Sequence, residues 1–553
     1  MNLSGAEIIV KLLERQGITM IAGIPGGANL PLYDALHKSK IHHILTRHEQ
    51  AAGFIAQGMA RSTGNAAVCF TTSGPGATNL LTAIADAKLD SIPIVAITGQ
   101  VSTPLIGTDA FQEVDTYGMT IPITKHNFLI RSVEELFTVI PEAFSLAMSG
   151  RPGPVLIDVP KDIQQKRIEF DEWPQIGNVL GSKPVSFAEI DKAIELINAS
   201  KRPILYIGGG IIHSGASDIL NQFAHKNSIP VTSTLMGLGC ISPSDALYIG
   251  MLGMHGAQYT NNIIHKADLL LAFGVRFDDR ATGKISHFCP DAKIIHIDVD
   301  CSEFDKIKSA DLTIRGDIRE ALTILTERTP LNKRIEWNTF ISKEKSNYPF
   351  PRKEPDNPLH PYNLIHYVES IVPESAIITT DVGQHQMWVA QYYPFKKPRT
   401  LLTSGGLGTM GFGLPTALGA AFANPQKRII CFSGDGSILM NIQELATLAD
   451  YNLNVTIILF NNGHLGLVRQ QQELFFNKNY IASKFITNPD FCTIAQGFGI
   501  RSYDLDGESN IKAVLQKALR QEGPCVINVP ISHDLNVLPM VPPGAANYES
   551  IGD

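Results

Sequence analysis

Short apolar runs recur along this chain, each ended by a turn and followed by a segment with apolar residues at 3–4 spacing. Near the start, 1–16 reads as an amphipathic helix, 20–24 as a strand and PGGANLPLYDAL as the turn beyond it. Strands are expected at 43–47, 66–71, 92–98 and 155–159, with helices at 49–61 and 79–88. Alternation of this kind predicts a parallel sheet covered by helices. The periodicity fades over 164–186, which reads as a linker. A second run begins near Phe187, with strands at 203–210, 229–234, 268–274 and 293–299, and lasts to about Thr326. The charged stretch 327–359 carries Pro330, Pro349, Pro351 and Pro355 and reads as the next connection. A third unit runs from about His360 to Val529, closed by the polar tail VLPMVPPGAANYESIGD. The expected class is therefore α/β, with three doubly wound parallel-sheet domains at 1–165, 187–326 and 360–553.

The most informative stretch is SGDGSILMNIQELATLADYNLNVTIILFNNGHLG, 433–466. An apolar run from Arg428 stops at Gly-Asp-Gly-Ser, and Ile442, Leu445, Ala446 and Leu448 then fall at helical spacing. A second apolar run, 455–460, ends at Asn461 and Asn462. Such a strand–helix–strand crossover delivers Asp435 and Asn462 to one carboxyl edge, where open α/β sheets bind ligands. A carboxylate, an amide oxygen and a nearby main-chain carbonyl form an all-oxygen half-shell that suits Mg²⁺. Glycines on both sides of Asp435 let a diphosphate approach the backbone. The competing reading makes Asp435 an N-cap and nothing more.

Glu49 opens a helix in RHEQAAGFIAQGMAR among Ala51, Ala52, Gly53 and Phe54. Burial there would raise its pKa and suit it to proton exchange, whereas a first-turn Glu is also what the helix dipole favours. Met410, in TMGFGLP, reads either as a cofactor support or as core filler. The literal GxGxxG at 406–411 follows no clear strand, so it reads as backbone approaching a ligand rather than a dinucleotide fingerprint. In the middle unit, Gly208, Gly209 and Gly210 after a strand, with acids in HIDVD and RGDI, are what a dinucleotide-binding sheet needs.

At 553 residues the chain has room for two to four domains. A net charge of −7 without a basic tract argues against nucleic acid, and no apolar run approaches the roughly 18 residues of a membrane span. The start lacks a secretory cleavage site. Seven cysteines show no CxxC or Cys/His spacing, which reads as reduced thiols in a cytosolic (cytoplasmic) protein.

The GDG…NN spacing resembles the diphosphate signature of thiamine diphosphate (ThDP) enzymes. More narrowly, TSGPGATNLLTAIADAKLDSIPIVAITGQV, IGTDAFQEVD, SGRPGPVLIDVPKDIQ, GMLGMHG, GVRFDDRATG, TDVGQHQMW and TSGGLGTMGFGLP resemble acetohydroxyacid synthase (acetolactate synthase) catalytic large subunits. The likeness runs from Ser4 to GAANYE and is greatest to the bacterial isozyme I type. It implies a pyrimidine-binding, a central FAD-binding and a pyrophosphate-binding domain, with ThDP, Mg²⁺ and FAD as cofactors. The implied reaction is decarboxylating condensation of pyruvate with a second 2-oxo acid, giving 2-acetolactate or 2-aceto-2-hydroxybutyrate for branched-chain amino acids. The implied assembly is a homodimer or dimer of dimers with its active site at the subunit interface, joined by a small regulatory subunit.

Residue by residue, the resemblance makes Glu49 the acid that contacts N1′ of the aminopyrimidine and promotes its imino tautomer. It sets Gly26, Gly27 and Ala28 at the site entrance, with Phe111, Gln112 and Lys161 facing the reacting groups. Val382, Gly383, Gln384, His385, Gly408 and Met410 would cradle ThDP, and Gly436 and Ser437 its diphosphate. Asp435, Asn462 and the main-chain oxygen of His464 would hold the metal. FAD would meet Arg151, Gly208, Gly209, Gly210, Thr234, Leu235, Met236, Met254, His255, Gly274, Arg276, Arg280, Asp298, Asp317 and Gln386. One stretch departs from the pattern: many members read GMVxQWQ where this chain has GLVRQQQ, with Leu467 for Met and Gln471 for Trp. A methylene decides only about 1–3 kcal/mol, so without the indole a weak preference between pyruvate and 2-oxobutyrate is expected, with weaker sulfonylurea-type inhibition. Ser102, where many relatives have proline, points the same way. Competing readings are another ThDP carboligase, a pyruvate oxidase that uses its flavin for redox, and a non-catalytic flavin-binding protein.

Overall fold

The structure, a computed structural model, describes residues 1–350 and 357–552. Pro351 and Pro355, two of the prolines expected to break the second connection, lie outside the described residues. Three six-stranded parallel sheets carry the chain. The first holds β2 (Met20–Gly23), β3 (His42–Leu45), β4 (Ala67–Thr71), β5 (Ile94–Gln100), β6 (His126–Leu129) and β7 (Val155–Pro160), in the order β3-β2-β4-β5-β7-β6. A short antiparallel pair, β1 (Asn2–Ser4) with β8 (Arg167–Glu169), closes this domain. The second sheet holds β9 (Pro203–Ile207), β10 (Val231–Ser233), β11 (Tyr248–Met251), β12 (Leu269–Phe273), β13 (Lys293–Asp298) and β14 (Leu312–Arg315), ordered β11-β10-β9-β12-β13-β14. The third holds β15 (Ile377–Thr380), β16 (Leu401–Leu402), β17 (Ile429–Gly434), β18 (Val455–Asn461), β19 (Arg501–Asp504) and β20 (Cys525–Pro530), ordered β16-β15-β17-β18-β20-β19. The α/β reading holds. Renumbered within each domain, the outer sheets share the order 2-1-3-4-6-5, whereas the middle one is 3-2-1-4-5-6, the order of doubly wound dinucleotide-binding sheets.

Local chemistry corrects several expected boundaries. The first helix is Gly5–Arg15 rather than 1–16, because Ser4 caps it: its Oγ accepts the Glu7 N–H, and the Glu7 carboxylate accepts the Ser4 N–H at 2.8 Å. Residues 2–4 are thereby free to pair as a strand, and the stretch expected to open the linker supplies their partner. The helix expected at 79–88 begins at Pro75, whose missing N–H has no helical use at that position. GPGATN therefore lies in a helix's first turn. The connection 327–359 is not irregular throughout, since Ile335–Asn347 is helical. Trp337 and Ile341 bury one side of that helix against the second domain, and the Trp337 indole N–H donates to the Pro203 carbonyl at 3.1 Å. Two buried apolar residues, with Ile335 and Phe340 exposed between charges, are too few to reveal a helix by periodicity.

The first and third domains share one continuous hydrophobic cluster, from Ile44 and Phe54 through to Phe412, Ile429 and Leu459. Its centre is the crossing of two long helices, Glu49–Thr63 and Gly413–Ala423, which are rich in Gly and Ala. A Cβ added at Gly58 would fall 2.2 Å from the Thr416 carbonyl oxygen, and one at Gly419 2.0 Å from that of Ile55. The backbones touch there, so only glycine fits.

Two effects oppose each other at Gly419. Alanine is favoured over glycine in a helix by about 1 kcal/mol, while forcing extra volume into a packed core costs about 1–3 kcal/mol. A Cβ placed against a carbonyl that cannot move alone puts this site at the costly end. Gly419→Ala is therefore expected to lower the unfolding midpoint despite its helix propensity. A raised midpoint would show that the crossing is looser than described.

Candidate active site

Parallel strands bring their carboxyl ends to one edge of a sheet, and nearly all the candidate site residues follow such an end. In the third domain, β15 leads to Val382, Gly383, Gln384 and His385, β16 to Gly408 and Met410, β17 to Asp435, Gly436 and Ser437, and β18 to Asn462 and His464. All of these line one cavity of about 190 Å³, together with Leu467. Asp435 is not the N-cap, which is Gly434: its Oδ1 accepts the Gly436 N–H at 3.0 Å and its Oδ2 that of Gly463 at 2.6 Å, joining β17 to the turn after β18. Burial pushes its carboxyl up to about 6, against the pull of those N–H groups. A carboxylate so placed lacks a compensating cation. Asn462, whose Oδ1 accepts the His464 N–H at 3.0 Å, and His464 line the same cavity, and oxygen donors from these three residues would suit a small divalent ion better than a nitrogen- or sulfur-seeking one. Among the described residues no group of three His, Cys, Asp or Glu offers an alternative metal site.

His385, buried in the same wall, is pushed down to about 3 by desolvation, so its imidazole is neutral. Its Nε2 has no protein partner. An orphaned ring nitrogen beside glycine-lined backbone suits a phosphate oxygen. Met410 is half-buried and faces this cavity rather than filling a core.

A second space runs between the middle domain and the other two, as adjoining cavities of about 500 and 480 Å³. Arg151, Gly210, Asp298 and Asp317 line the first, and Gly208, Thr234, Leu235, Met254, His255, Arg280 and Gln386 the second. Gly209, Met236, Gly274 and Arg276 line both. The two together form one elongated cleft at the switch point between β9 and β12, where the order 3-2-1-4-5-6 reverses. A Cβ on Gly208 would meet the Gly274 carbonyl oxygen at 2.3 Å, so bare backbone forms the floor. His255 is buried, with its Nδ1 unpartnered, and desolvation pushes it down to about 4. An extended ligand with polar groups along its length fits this cleft. Gln471 lines it too, and Leu467 and Gly408 stand in the wall between cleft and coenzyme cavity.

Apart from Arg151, the first-domain candidates line neither space. Glu49 follows β3, Gly26, Gly27 and Ala28 follow β2, Phe111 and Gln112 follow β5, and Lys161 follows β7, all at the carboxyl edge of their sheet. Glu49 is only half-buried within one chain, and its Oε2 accepts a hydrogen bond from Asn79 at 3.0 Å. Gly27 is exposed, and Phe111 is 88 % exposed, an extreme value for a ring on a folded surface. Gln112 has φ of +59° and packs against Gly74, where a Cβ would fall 2.9 Å from its Cα.

The sequence reading misses the acids that hold these loops. Asp381, fully buried, accepts N–H groups from Val382 at 3.0 Å and Gly411 at 2.8 Å and the Ser433 hydroxyl at 3.1 Å, tying three strand ends together. Asp158 accepts the Thr98 hydroxyl at 2.6 Å and the Gln100 amide at 3.0 Å, and that amide also donates to the Val114 carbonyl. An acid at the end of an apolar run, as in IITTD or VLIDVP, is the signal that could have found them.

Three domain families match the chain in sequence: the N-terminal TPP binding domain of thiamine pyrophosphate enzymes at residues 3–119, their central domain at 190–325 and their C-terminal TPP binding domain at 381–529. Fold and match together define a thiamine-diphosphate-dependent enzyme. The chain is 53 % identical to the acetolactate synthase isozyme 1 large subunit of Escherichia coli, covering 100 % of this chain and 98 % of that one. It is 44 % identical to the isozyme 2 large subunit of the same organism, over 99 % of each chain. It is also 44 % identical to the chloroplastic acetolactate synthase of Arabidopsis thaliana, over 98 % of this chain and 83 % of that one. The chain belongs to the acetolactate synthase large-subunit family.

Asp158 supplies a pH test of the first-domain edge. Burial holds its carboxyl at about 7 in the folded chain, above the unfolded value near 4. The folded state thus keeps a proton that the unfolded state releases, and stability falls as pH rises through that window. Asp158→Asn, neutral throughout, is expected to lose less stability between pH 5 and pH 8 than the native chain, read as denaturant midpoints at each pH. Parallel curves would refute the assignment.

Proposed function

We propose that this chain is the catalytic subunit of an acetolactate synthase. It condenses pyruvate, with loss of carbon dioxide, with a second pyruvate or 2-oxobutyrate, giving 2-acetolactate or 2-aceto-2-hydroxybutyrate for valine, leucine and isoleucine biosynthesis. The observation that carries this is the 53 % identity over the whole of both chains to an acetolactate synthase large subunit. Bound in the cavity of the third domain, ThDP supplies an electron sink for decarboxylation of the 2-oxo acid.

The chain's own residues would do the rest. Asp435, Asn462 and the His464 carbonyl would hold Mg²⁺, neutralising the buried carboxylate as they do so. Gly436, Ser437 and the neutral His385 would meet the diphosphate, while Val382, Gly383, Gln384, Gly408 and Met410 enclose the rest. The elongated cleft of the middle domain would take FAD, as the reversal of strand order and the bare Gly208–Gly274 floor support. Glu49 would hold a proton at the coenzyme's ring nitrogen from a second copy of the chain, since within one chain it lines neither space. Phe111, Ile121 and Met440, 88 %, 58 % and 52 % exposed, are apolar surface that such a copy would cover. Phe111, Gln112, Lys161 and Gly27, on the same edge as Glu49, would reach the reacting groups with it. Relatives called large subunits imply a smaller regulatory partner as well.

Replacing Glu49 with Gln keeps the shape and removes the ionisable proton. Glu49→Gln is expected to slow hydrogen–deuterium exchange at the thiazolium C2 by about 10²- to 10⁴-fold, with ThDP still bound by calorimetry. Exchange at the native rate would end the proposed role.

Leu467 lines both spaces and Gln471 lines the cleft, which supports their part in acceptor choice. With pyruvate and 2-oxobutyrate in competition, product ratios are expected to follow the acceptor ratio within a few-fold. Gln471→Trp should shift them toward 2-aceto-2-hydroxybutyrate by about 10-fold, the value of one well-packed methylene. A strong native preference for 2-oxobutyrate would contradict the reading, and oxygen-dependent acetyl phosphate would mark a pyruvate oxidase instead.

A further inference from the structure

The segment 403–411 is the partition between the two spaces: Met410 lines the coenzyme cavity, 404–407 line the cleft, and Gly408 lines both. It has little side chain with which to hold itself. Gly405, Gly406, Gly408 and Gly411 fall within it, the last two at φ of +70° and +88°. Its support comes from the first domain. The helix Pro75–Leu89 brings up Asp86 and, at its cap, Asp90, both with fully buried side chains. The Asp90 carboxylate accepts the N–H of Gly405 at 3.0 Å and of Gly406 at 2.7 Å. Asp86 Oδ2 accepts the hydroxyls of Ser404 and Thr409, the latter at 2.9 Å. Behind them Arg61 donates to Asp86 at 3.0 Å, to Asp90 at 2.9 Å and to the Thr403 carbonyl at 2.9 Å.

One cation therefore faces two buried carboxylates. Among the described residues, the other donors to these two carboxyl groups are the partition's own, two backbone N–H groups and two hydroxyls. A shift of the partition would leave two buried acids without these donors, so it moves with the helix or not at all. From the other side it meets Met236, a residue of the cleft: a Cβ on Gly405 would fall 2.4 Å from the Met236 sulfur. Whatever fills the cleft presses on the same few residues that bound the coenzyme cavity.

We propose that Asp86 and Asp90 are positioning residues that hold the 403–411 partition rigid between the two spaces, so that FAD in the cleft tightens ThDP binding in the neighbouring cavity. The inference rests on the proposed placement of FAD and ThDP in those two spaces. It differs from a purely cohesive role, in which the same contacts would fasten the first domain to the third without linking the two ligands. Ligands coupled through a shared wall show a reciprocal change in affinity.

The test is calorimetric titration of the full chain with ThDP and magnesium chloride, with and without saturating FAD. FAD is expected to lower the native dissociation constant for ThDP by about tenfold, and in Asp90→Asn and Thr409→Val to change it by less than about threefold. Bound flavin in both variants should also show an absorption band shifted toward that of free FAD. Thr409→Val deletes a single hydroxyl, so it reports even if Asp90→Asn does not fold. A cohesive role would lower the unfolding midpoint and leave the native FAD effect intact in both variants, which overturns the inference. A native chain that binds FAD and ThDP independently overturns it too, while one that takes up no FAD at all overturns the placement of FAD on which it stands.

Discussion

Two helix backbones touch at Gly58 and Gly419, and that contact sets how the outer domains of this molecule are joined. With a Cβ at either position meeting a carbonyl oxygen at 2.2 or 2.0 Å, no other residue permits this approach. The helices concerned, Glu49–Thr63 and Gly413–Ala423, each follow the second strand of sheets with the same strand order. Equivalent elements of two equivalent domains thus pack on each other, and their cores merge into one cluster. The middle domain keeps largely separate cores around its own sheet. Because the first and third domains cannot slide relative to each other, side chains of one can hold loops of the other. The Arg61, Asp86 and Asp90 cluster depends on that immobility.

Apolar packing fixes sheets and helices but leaves open where the loops beyond the strand ends come to rest. That task falls to buried acids. Asp381 and Asp435 stand just past the ends of interior strands and Asp158 within another, and each accepts donors from a neighbouring strand or loop. In each, burial raises the carboxyl above its usual range while the donors pull it back, to about 7, 6 and 6 respectively. The balance is informative. A carboxylate placed only to stabilise the fold would gain from a paired cation or from exposure, and these have neither. Loop position has been favoured over stability, as is common where loops must present chemistry.

How much of this is legible in the sequence depends on how each part is encoded. Interior strands such as AVCFT and LLLAF are buried on both faces, so they stand out as unbroken apolar runs. HHIL aside, edge strands escape: HNFL, LTIR and RSYD are short and half polar because one side has no neighbour. The residues proposed for the metal and diphosphate are legible because they lie at fixed spacing within one crossover. Glu49 is legible only through resemblance, since its local sequence equally describes a helix's first turn. The partition's supports are the opposite case. Asp86 and Asp90 lie more than 300 residues from their partners, and nothing local distinguishes them from surface acids on a helix.

Strand order was equally hidden, yet it separates the roles of the domains. Six apolar runs with helices between them are compatible with either 2-1-3-4-6-5 or 3-2-1-4-5-6, because the choice depends on which side each crossover takes. The middle domain reverses direction between β9 and β12, opening its cleft at Gly208 and Gly274. The outer domains reverse one strand earlier in their own numbering, which puts the Gly26 turn after β2 in one and Asp381 to Gly383 after β15 in the other. On the proposed reading, each outer domain would carry half of a ThDP site: an acid with its surrounding edge in the first, a metal and diphosphate seat in the third. The helix crossing that joins them also holds Glu49 outside the cavity of its own chain. On the proposed reading, rigidity within one chain is what would make a second copy necessary for a complete site.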